Sequence, residues 1–429
     1  MMSWVYQIVL GLALPLVWLR LQLRARREPE YGQRQQERFG VVPEHVREHC
    51  VWFHTVSAGE AIAAAPLIRE MTSRFPTMPF LVTTMTPTGS QQVMQRLQDC
   101  VDHCYAPYDF GFAVRRFFNR VQPRALVLME TELWPNLIAE AHRRGIPVML
   151  VNARLSERSA RGYQRLAGLT RSMLQRLSYI ACQSEAHAQR FIALGADPDH
   201  VAALGSVKYD VALPAGFAAA VQALETEFEV GARPVWIAAS THPGEDEIVL
   251  RAFAEIRSRA PDLLLLLVPR HPVRAEALCE MVRAAGFSVS RQSVRADGER
   301  PGPTDVVIGD VMGTLMSLYG LADVAFVGGS FVDVGGHNPL EPALCAVPVV
   351  SGPQQFNFTD VMADLQTRGG LQTVHTASEL ATVVTAWLAD DAQRNRAGAA
   401  AAAALDENRG ATARVVALLD DLVGAALAH

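Results

Sequence analysis

Lysine is almost absent from the 429-residue chain: Lys and Arg together number 39, and Lys208 is the one lysine among them. Against so strong a bias toward guanidinium, a surviving compact ammonium marks a position worth attention. Cysteine is also sparse. Six residues (Cys50, Cys100, Cys104, Cys182, Cys279, Cys345) are scattered along the chain, which fits reduced thiols rather than a disulfide scaffold. Cys100 and Cys104 flank His103, but no second Cys/His pair stands at zinc-site spacing, so no metal is expected. No Gly-x-Gly-x-x-Gly follows a strand-like run and no Gly-Lys-Ser/Thr occurs, which disfavours a dinucleotide dehydrogenase and a P-loop ATPase. What is present is apolar: 50 % hydrophobic residues against 19 % charged and 7 % aromatic. That excludes disorder, and the length points to two domains of roughly 200 residues each.

Charge is missing altogether between Met1 and Leu19, and then arrives at Arg20, Arg24, Arg26 and Arg27. A cleaved signal peptide carries its positive charge before the apolar run and a small-residue cleavage site after it; neither is here. Residues 1–27 are therefore expected to form an uncleaved membrane anchor, nearly long enough to cross ~30 Å of hydrocarbon. The flanking arginines place the remainder on the cytoplasmic side, with Trp4, Tyr6 and Trp18 at the interface. Pro15 and the marginal length leave open a helix lying in the membrane plane or packed under the domain.

Beyond Tyr31, short apolar runs alternate with longer periodic ones. Strands are predicted at Val51–His54, Phe80–Thr84, Ala125–Met129, Val148–Val151 and Tyr179–Cys182. A second series is predicted at Val235–Ala239, Leu263–Val268, Val306–Ile308, Val324–Val327 and Val347–Val350. Buried strands alternating with helices imply an α/β fold of two Rossmann-like, doubly wound domains, 28–210 and 211–429, the second ending in a helical tail from Ala377. Ligands are then expected outside the carboxyl ends of the strands. The halves differ in charge: Met1–Gly205 carries 23 Arg against 17 Asp and Glu, and Ser206–His429 carries 16 Lys and Arg against 27. Different partners follow.

The first strand runs into Ser57-Ala58-Gly59-Glu60, where a carboxylate at a helix start is either held ionised as a base or merely complements the helix dipole. Thr84 to Ser90 is a hydroxyl-rich turn suited to a sugar or anion, or to capping. Glu130 and Glu132 bracket a turn before Trp134, as acid/base groups, hydroxyl ligands or helix-start acids. From Arg143 to Arg176 eight arginines, Arg154 among them, face the single Glu157. A phosphate-bearing partner explains this best; nucleic acid is the rival, disfavoured by the anchor and the acidic second half. Lys208 lies at the domain junction, within reach of an anionic group. In the second half, Pro269-Arg270-His271-Pro272 offers a phosphate or nucleotide contact, and Met312-Gly313-Thr314 a base-sized edge. Asn338-Pro339-Leu340-Glu341 reads as a capped helix start behind two glycines and thus an anion site, with Glu341 as capping acceptor or ribose ligand.

Taken in order, His54–Glu60, Thr83–Gly89, Pro107–Asp109, Met129–Asn136, Asn152–Ser159, Gly205–Asp210, Pro269–Pro272 and Gly335–Pro342 closely resemble the 3-deoxy-D-manno-octulosonic acid (Kdo) transferase family, across nearly the whole chain. The resemblance implies a membrane-associated, inverting glycosyltransferase of the B-type (GT-B) fold. It would move Kdo from CMP-Kdo to the 6'-hydroxyl of the lipid A precursor, lipid IVA, at the cytoplasmic face of the inner membrane, without a metal or other cofactor. By match, Glu60 is the general base. CMP contacts fall on Pro269, Arg270, Met312, Gly313, Thr314, Asn338, Pro339, Leu340 and Glu341; Glu130, Glu132, Arg154, Lys208 and His271 are further substrate contacts. The family usually has Met-Gly-Glu where this chain has Met312-Gly313-Thr314, which leaves the role of Thr314 open.

Overall fold

The computed structural model describes residues 2–296 and 303–427. The chain divides into two compact units: residues through Asp210 together with the segment from Arg409 onward, and Val211–Asn408. In the amino-terminal unit, β1 (Val51–His54), β2 (Phe80–Thr84), β3 (Asp102–Tyr105), β4 (Ala125–Met129), β5 (Val148–Ala153), β6 (Tyr179–Cys182) and β7 (Val201–Ala203) form one sheet in the order β3-β2-β1-β4-β5-β6-β7. Every pairing is parallel. The second unit repeats the plan with β8 (Val235–Thr241), β9 (Leu264–Pro269), β10 (Val289–Arg291), β11 (Val306–Ile308), β12 (Val324–Val327), β13 (Val349–Ser351) and β14 (Leu371–Thr373), ordered β10-β11-β9-β8-β12-β13-β14 and again all parallel.

Alternation along each strand sends side chains to two separate cores, because successive residues point to opposite faces. Trp52, Leu81, Leu126 and Leu150 pack on one face of the first sheet, and Val51, Phe53, Val82 and Val127 on the other. With helices on both faces, these strands have no reason to alternate polar with apolar, hence their continuous apolar sequences. Strand order reverses between β1 and β4 in the first unit and between β8 and β12 in the second. These reversal points leave a crevice at the carboxyl ends of the strands, where ligands of open α/β sheets bind.

The helical tail expected within the second domain is split. Helix Ala411–Leu427 returns to the first unit, where Ala411, Val415, Val416, Leu419 and Val423 complete the core over helix α2 (Ala58–Arg74). Asp210 accepts from the Gly410 N–H at 2.7 Å, and Arg74 pairs with Asp420. The alanines of α2 leave a shallow surface that needs this second apolar layer. Leu419→Ala is accordingly expected to cost about 2–4 kcal/mol. The measurement is differential scanning calorimetry, with the loss falling on the transition of the amino-terminal domain.

The amino-terminal helix α1 (Met2–Arg27) is long and apolar enough to cross a membrane over Tyr6–Arg27, with mean hydropathy 1.5. It nevertheless touches its own domain at both ends. Tyr6 donates to Asp109 Oδ2 at 2.8 Å and Gln7 bonds Asn136; fifteen residues on, Leu21 is buried and Gln22 donates to Gln35 at 2.8 Å. Tyr6 is thus a tether to the domain rather than an interfacial anchor. Trp18 is exposed, and the Trp4 side chain lies outside the described residues. On the far face Ile8, Leu12, Leu16, Leu19 and Leu23, at helical spacing, form an exposed apolar stripe.

Candidate active site

At the reversal point of the first sheet, Ser57 caps α2: its Oγ accepts from the Glu60 N–H at 3.2 Å and donates back to Glu60 Oε1 at 2.9 Å. The second oxygen, Oε2, accepts from the Val56 N–H at 2.8 Å. Glu60 is 8 % exposed. The sequence left open a carboxylate held ionised as a base or one that merely complements the helix dipole. Burial first, then the nearby Glu132 and Glu130 carboxylates, outweigh the two hydrogen bonds and push the Glu60 carboxyl up to about 8. Such a group is a stronger base than an ordinary glutamate, with a proton affinity matched to neutral chemistry.

The β4–helix turn supplies the neighbouring charges. Glu130 sits at φ +54°, in the left-handed region that non-glycine residues rarely occupy, directly after β4. Its buried carboxylate takes Lys208 Nζ at 2.7 Å on one oxygen and Arg154 Nε at 2.8 Å on the other. Lys208 and Arg154 thus share the one Glu130 carboxylate. Asn152, also left-handed (φ +52°) and buried, accepts from the Val207 N–H at 3.2 Å and so ties the segment bearing Lys208 to β5. Glu132 accepts from Trp134 Nε1 at 2.7 Å, and burial raises its carboxyl as well. Trp134 meets the fully buried His54 edge to face at 4.6 Å; desolvation holds that imidazole neutral, down at about 3. Glu60, Glu130, Glu132, Arg154 and Lys208 are thereby brought to one crevice. Of the arginines between Arg143 and Arg176, Arg143 and Arg144 are engaged by Glu140, whereas Arg158, Arg161 and Arg171 are exposed on the two helices that follow β5 and Arg165 is exposed in the link between them.

In the second unit the loops after β8, β9 and β12 converge in the same topological place. Ser240 is left-handed (φ +57°) at a register shift in β8. His242 and His337 stack at 5.1 Å with their Nε2 atoms 2.9 Å apart, and His271 meets His242 edge to face at 6.0 Å. Burial, then the neighbouring His242, Arg270 and His271, pull the His337 imidazole down to about 4. A cluster of basic groups that suppress each other's protonation is what an incoming phosphate would relieve. Arg270 donates its backbone N–H to Thr241 at 3.0 Å and exposes its side chain. Thr314 turns its hydroxyl to Val311 O (2.9 Å) and Gln292 (3.1 Å), closing its own loop, while Met312 is exposed. The helix after Asn338 starts at Leu340, one residue later than its sequence implies, and is only five residues long. Asn338 still accepts from the Leu340 N–H at 3.1 Å and donates to Glu341 at 3.3 Å.

Glu245 holds the second unit's loops together, a role that the sequence reading did not assign. Fully buried, it accepts from the backbone N–H groups of His242, Gly329, Ser330 and Phe331 at 2.7–2.9 Å, joining the β8 and β12 loops. A Cβ on Gly328 would lie 2.8 Å from the Ser240 carbonyl oxygen, so that junction requires glycine.

Residues 33–211 match the family model described as 3-deoxy-D-manno-octulosonic-acid transferase (kdotransferase). The 3-deoxy-D-manno-octulosonic acid transferase of Haemophilus influenzae is 40 % identical over 421 residues, 96 % of this chain and 97 % of that one. The chain belongs to the Kdo transferase family. It is thus a glycosyltransferase that transfers Kdo. The fold agrees: a glycosyltransferase from Rickettsia africae matches with a TM-score of 0.51 at 10 % identity, over 88 % of this chain and 99 % of that one. S. aureus MnaA, from a co-structure with UDP, matches with a TM-score of 0.53 at 11 % identity, over 88 % of this chain and 97 % of that one. Two seven-stranded parallel sheets flanked by helices are the GT-B architecture of this Kdo transferase.

Proposed function

We propose that this Kdo transferase moves Kdo from CMP-Kdo to the 6'-hydroxyl of lipid IVA with inversion, with Glu60 as general base. The observation that carries the reading is Glu60 itself. It is a buried carboxylate at the strand-order reversal, with its proton affinity raised by burial and by Glu132 and Glu130. Ionised Glu60 takes the acceptor hydroxyl proton as that oxygen forms its bond to the anomeric carbon. The bond from that carbon to the CMP phosphate breaks on the opposite face, and the electron pair leaves with CMP. Because phosphate is already a good leaving group, no acid is needed. The Arg154 and Lys208 cations around Glu130 suit the sugar-acid carboxylate, and Glu132 suits its hydroxyls.

CMP is assigned to the carboxyl-terminal domain through Pro269, Arg270, Met312, Gly313, Thr314, Asn338, Pro339, Leu340 and Glu341, with His271 beside the phosphate. The inward hydrogen bonds of Thr314 favour backbone contacts from that loop, so the missing carboxylate matters little. The apolar stripe of α1 and the exposed arginines Arg158, Arg161, Arg165 and Arg171 fit an anionic membrane surface, and with it the cytoplasmic face of the inner membrane. The contacts at both ends of α1 favour a helix lying in the plane over one that spans. In a thermal-shift titration CMP should raise the unfolding midpoint at concentrations where UDP does not. Equal or greater protection by UDP would reassign the donor.

A further inference from the structure

Between α1 and the body of the amino-terminal domain lies a cavity of about 360 Å³. Leu10, Val17 and Leu21 form an apolar wall on the α1 side, Arg20 and Arg24 also line it, and Arg38 lies on the domain side. Arg38 is 1 % exposed and carries a charge that its surroundings do not answer. Its Nη1 donates to the Met85 carbonyl at 2.8 Å, but Nε and Nη2 are buried without a hydrogen-bond partner. No ion pair to Arg38 occurs among the described residues. The nearby carboxylates are already occupied. Glu37 takes Arg34 and the Tyr105 N–H, and Asp109 takes Tyr6 Oη and the N–H groups of Asn136 and Leu137. The guanidinium instead lies 4.3 Å from the Tyr105 ring centroid, with Tyr31 and Tyr108 at 5.6 and 6.0 Å.

A buried guanidinium with two idle donors is costly unless something anionic fills its fork. The cavity sets this guanidinium, Arg20 and Arg24 against the apolar wall of Leu10, Val17 and Leu21, and its one carboxylate, Asp109, is already taken by Tyr6, Asn136 and Leu137, so the fitting ligand joins a phosphate to an acyl chain. We infer that this cavity binds a phosphate group of an acylated lipid, with Arg38 as the phosphate ligand and the leucine wall of α1 against the chain. The inference rests on the phosphorylated lipid acceptor proposed above and adds a subsite to it. Three hydrogen bonds link the subsite to the base: Arg38 to Met85 O, Met85 N–H to Val56 O at 3.0 Å, and Val56 N–H to Glu60.

The test uses the full chain in detergent, CMP-Kdo at saturation, and lipid IVA with or without its phosphates. Arg38→Gln should raise the KM for lipid IVA about tenfold or more, the loss of a charge-assisted pair. The KM for CMP-Kdo should stay within about twofold of wild type, as expected when only acceptor binding is weakened. The dephosphorylated lipid should already bind the wild-type protein weakly and be unaffected by the substitution, and Arg38→Lys should restore most of the difference. Should Arg38→Gln fail to fold, Arg38→Met keeps most of the buried side chain's volume without its charge and should have the same selective effect. Equal losses on both lipids would overturn the subsite, as would inorganic phosphate competing as well as the phosphorylated lipid. If wild-type protein modifies neither lipid, the function proposed above fails, and co-sedimentation of wild-type and Arg38→Gln protein with neutral vesicles carrying lipid IVA still decides the subsite. Binding that depends on Arg38 sustains it, and equal binding refutes it.

Discussion

Glu60→Gln is expected to lower the rate of Kdo transfer by about 10²–10⁴-fold while leaving CMP binding intact, since an amide keeps the shape and the hydrogen-bond acceptor but cannot take a proton. Two pH dependences accompany it. In the wild type kcat/KM should rise with pH up to about 8, where the Glu60 proton is lost, and level off above. Stability should run the other way. The folded protein holds a proton that an unfolded glutamate releases near 4.5, so between about 4.5 and 8 the contribution of this group to stability falls as pH rises. Glu60→Gln removes that loss. The variant should therefore be more stable than wild type at pH 8, by at most a few kcal/mol, with the advantage gone at pH 4.5. Thermal melts at both pH values check the sign; a variant that is less stable at pH 8 would show that Glu60 is structural.

Glu245→Leu is expected to have the largest effect on stability. Four backbone N–H groups that now share one buried carboxylate would be left with a hydrocarbon. At about 1–3 kcal/mol for each unsatisfied group, partly relieved by loop movement, the loss should reach about 4 kcal/mol or more. The unfolding midpoint of the carboxyl-terminal domain should drop by roughly 10 °C. Affinity for CMP should fall with it, because the carboxylate joins the loop bearing His242 to the loop that leads into His337. Glu245→Gln keeps one acceptor oxygen and should lose about half as much. Calorimetry of both variants, with and without CMP, separates the structural loss from the loss of binding.

The central strands could be read from the sequence because each is buried on both faces and so carries an unbroken apolar run. The four strands that escaped notice are β3, β7, β10 and β14, the two edges of each sheet. Asp102-His103-Cys104-Tyr105, Val201-Ala202-Ala203, Val289-Ser290-Arg291 and Leu371-Gln372-Thr373 are short and partly exposed, which removes that signature. Helix Ala411–Leu427 was recognisable as a helix, but nothing local says which of two domains its apolar face will cover.

In the site, the small-residue turn pointed to a helix start at Glu60; the structure begins α2 at Ala58, with Ser57 as its cap. The direction in which the Glu60 proton equilibrium moves was not readable, because it depends on burial and on Glu132 and Glu130, 72 and 70 residues away. Lys208 stood out by its rarity; that it closes on Glu130 follows only from the left-handed turns at Glu130 and Asn152. Glu245 carried no signal, because the four N–H groups that converge on it come together only in three dimensions. Arg38 gave no sign at all. Its meaning comes from three tyrosines and a helix that surround it without neutralising it.

Mass spectrometry of lipid IVA after incubation with the purified full chain and CMP-Kdo tests the proposed transfer most directly. The lipid should gain mass in whole Kdo residues, with CMP released in equal amount, and Glu60→Gln should yield neither product. Unmodified lipid beside intact CMP-Kdo, from wild-type protein shown to be folded, would contradict it.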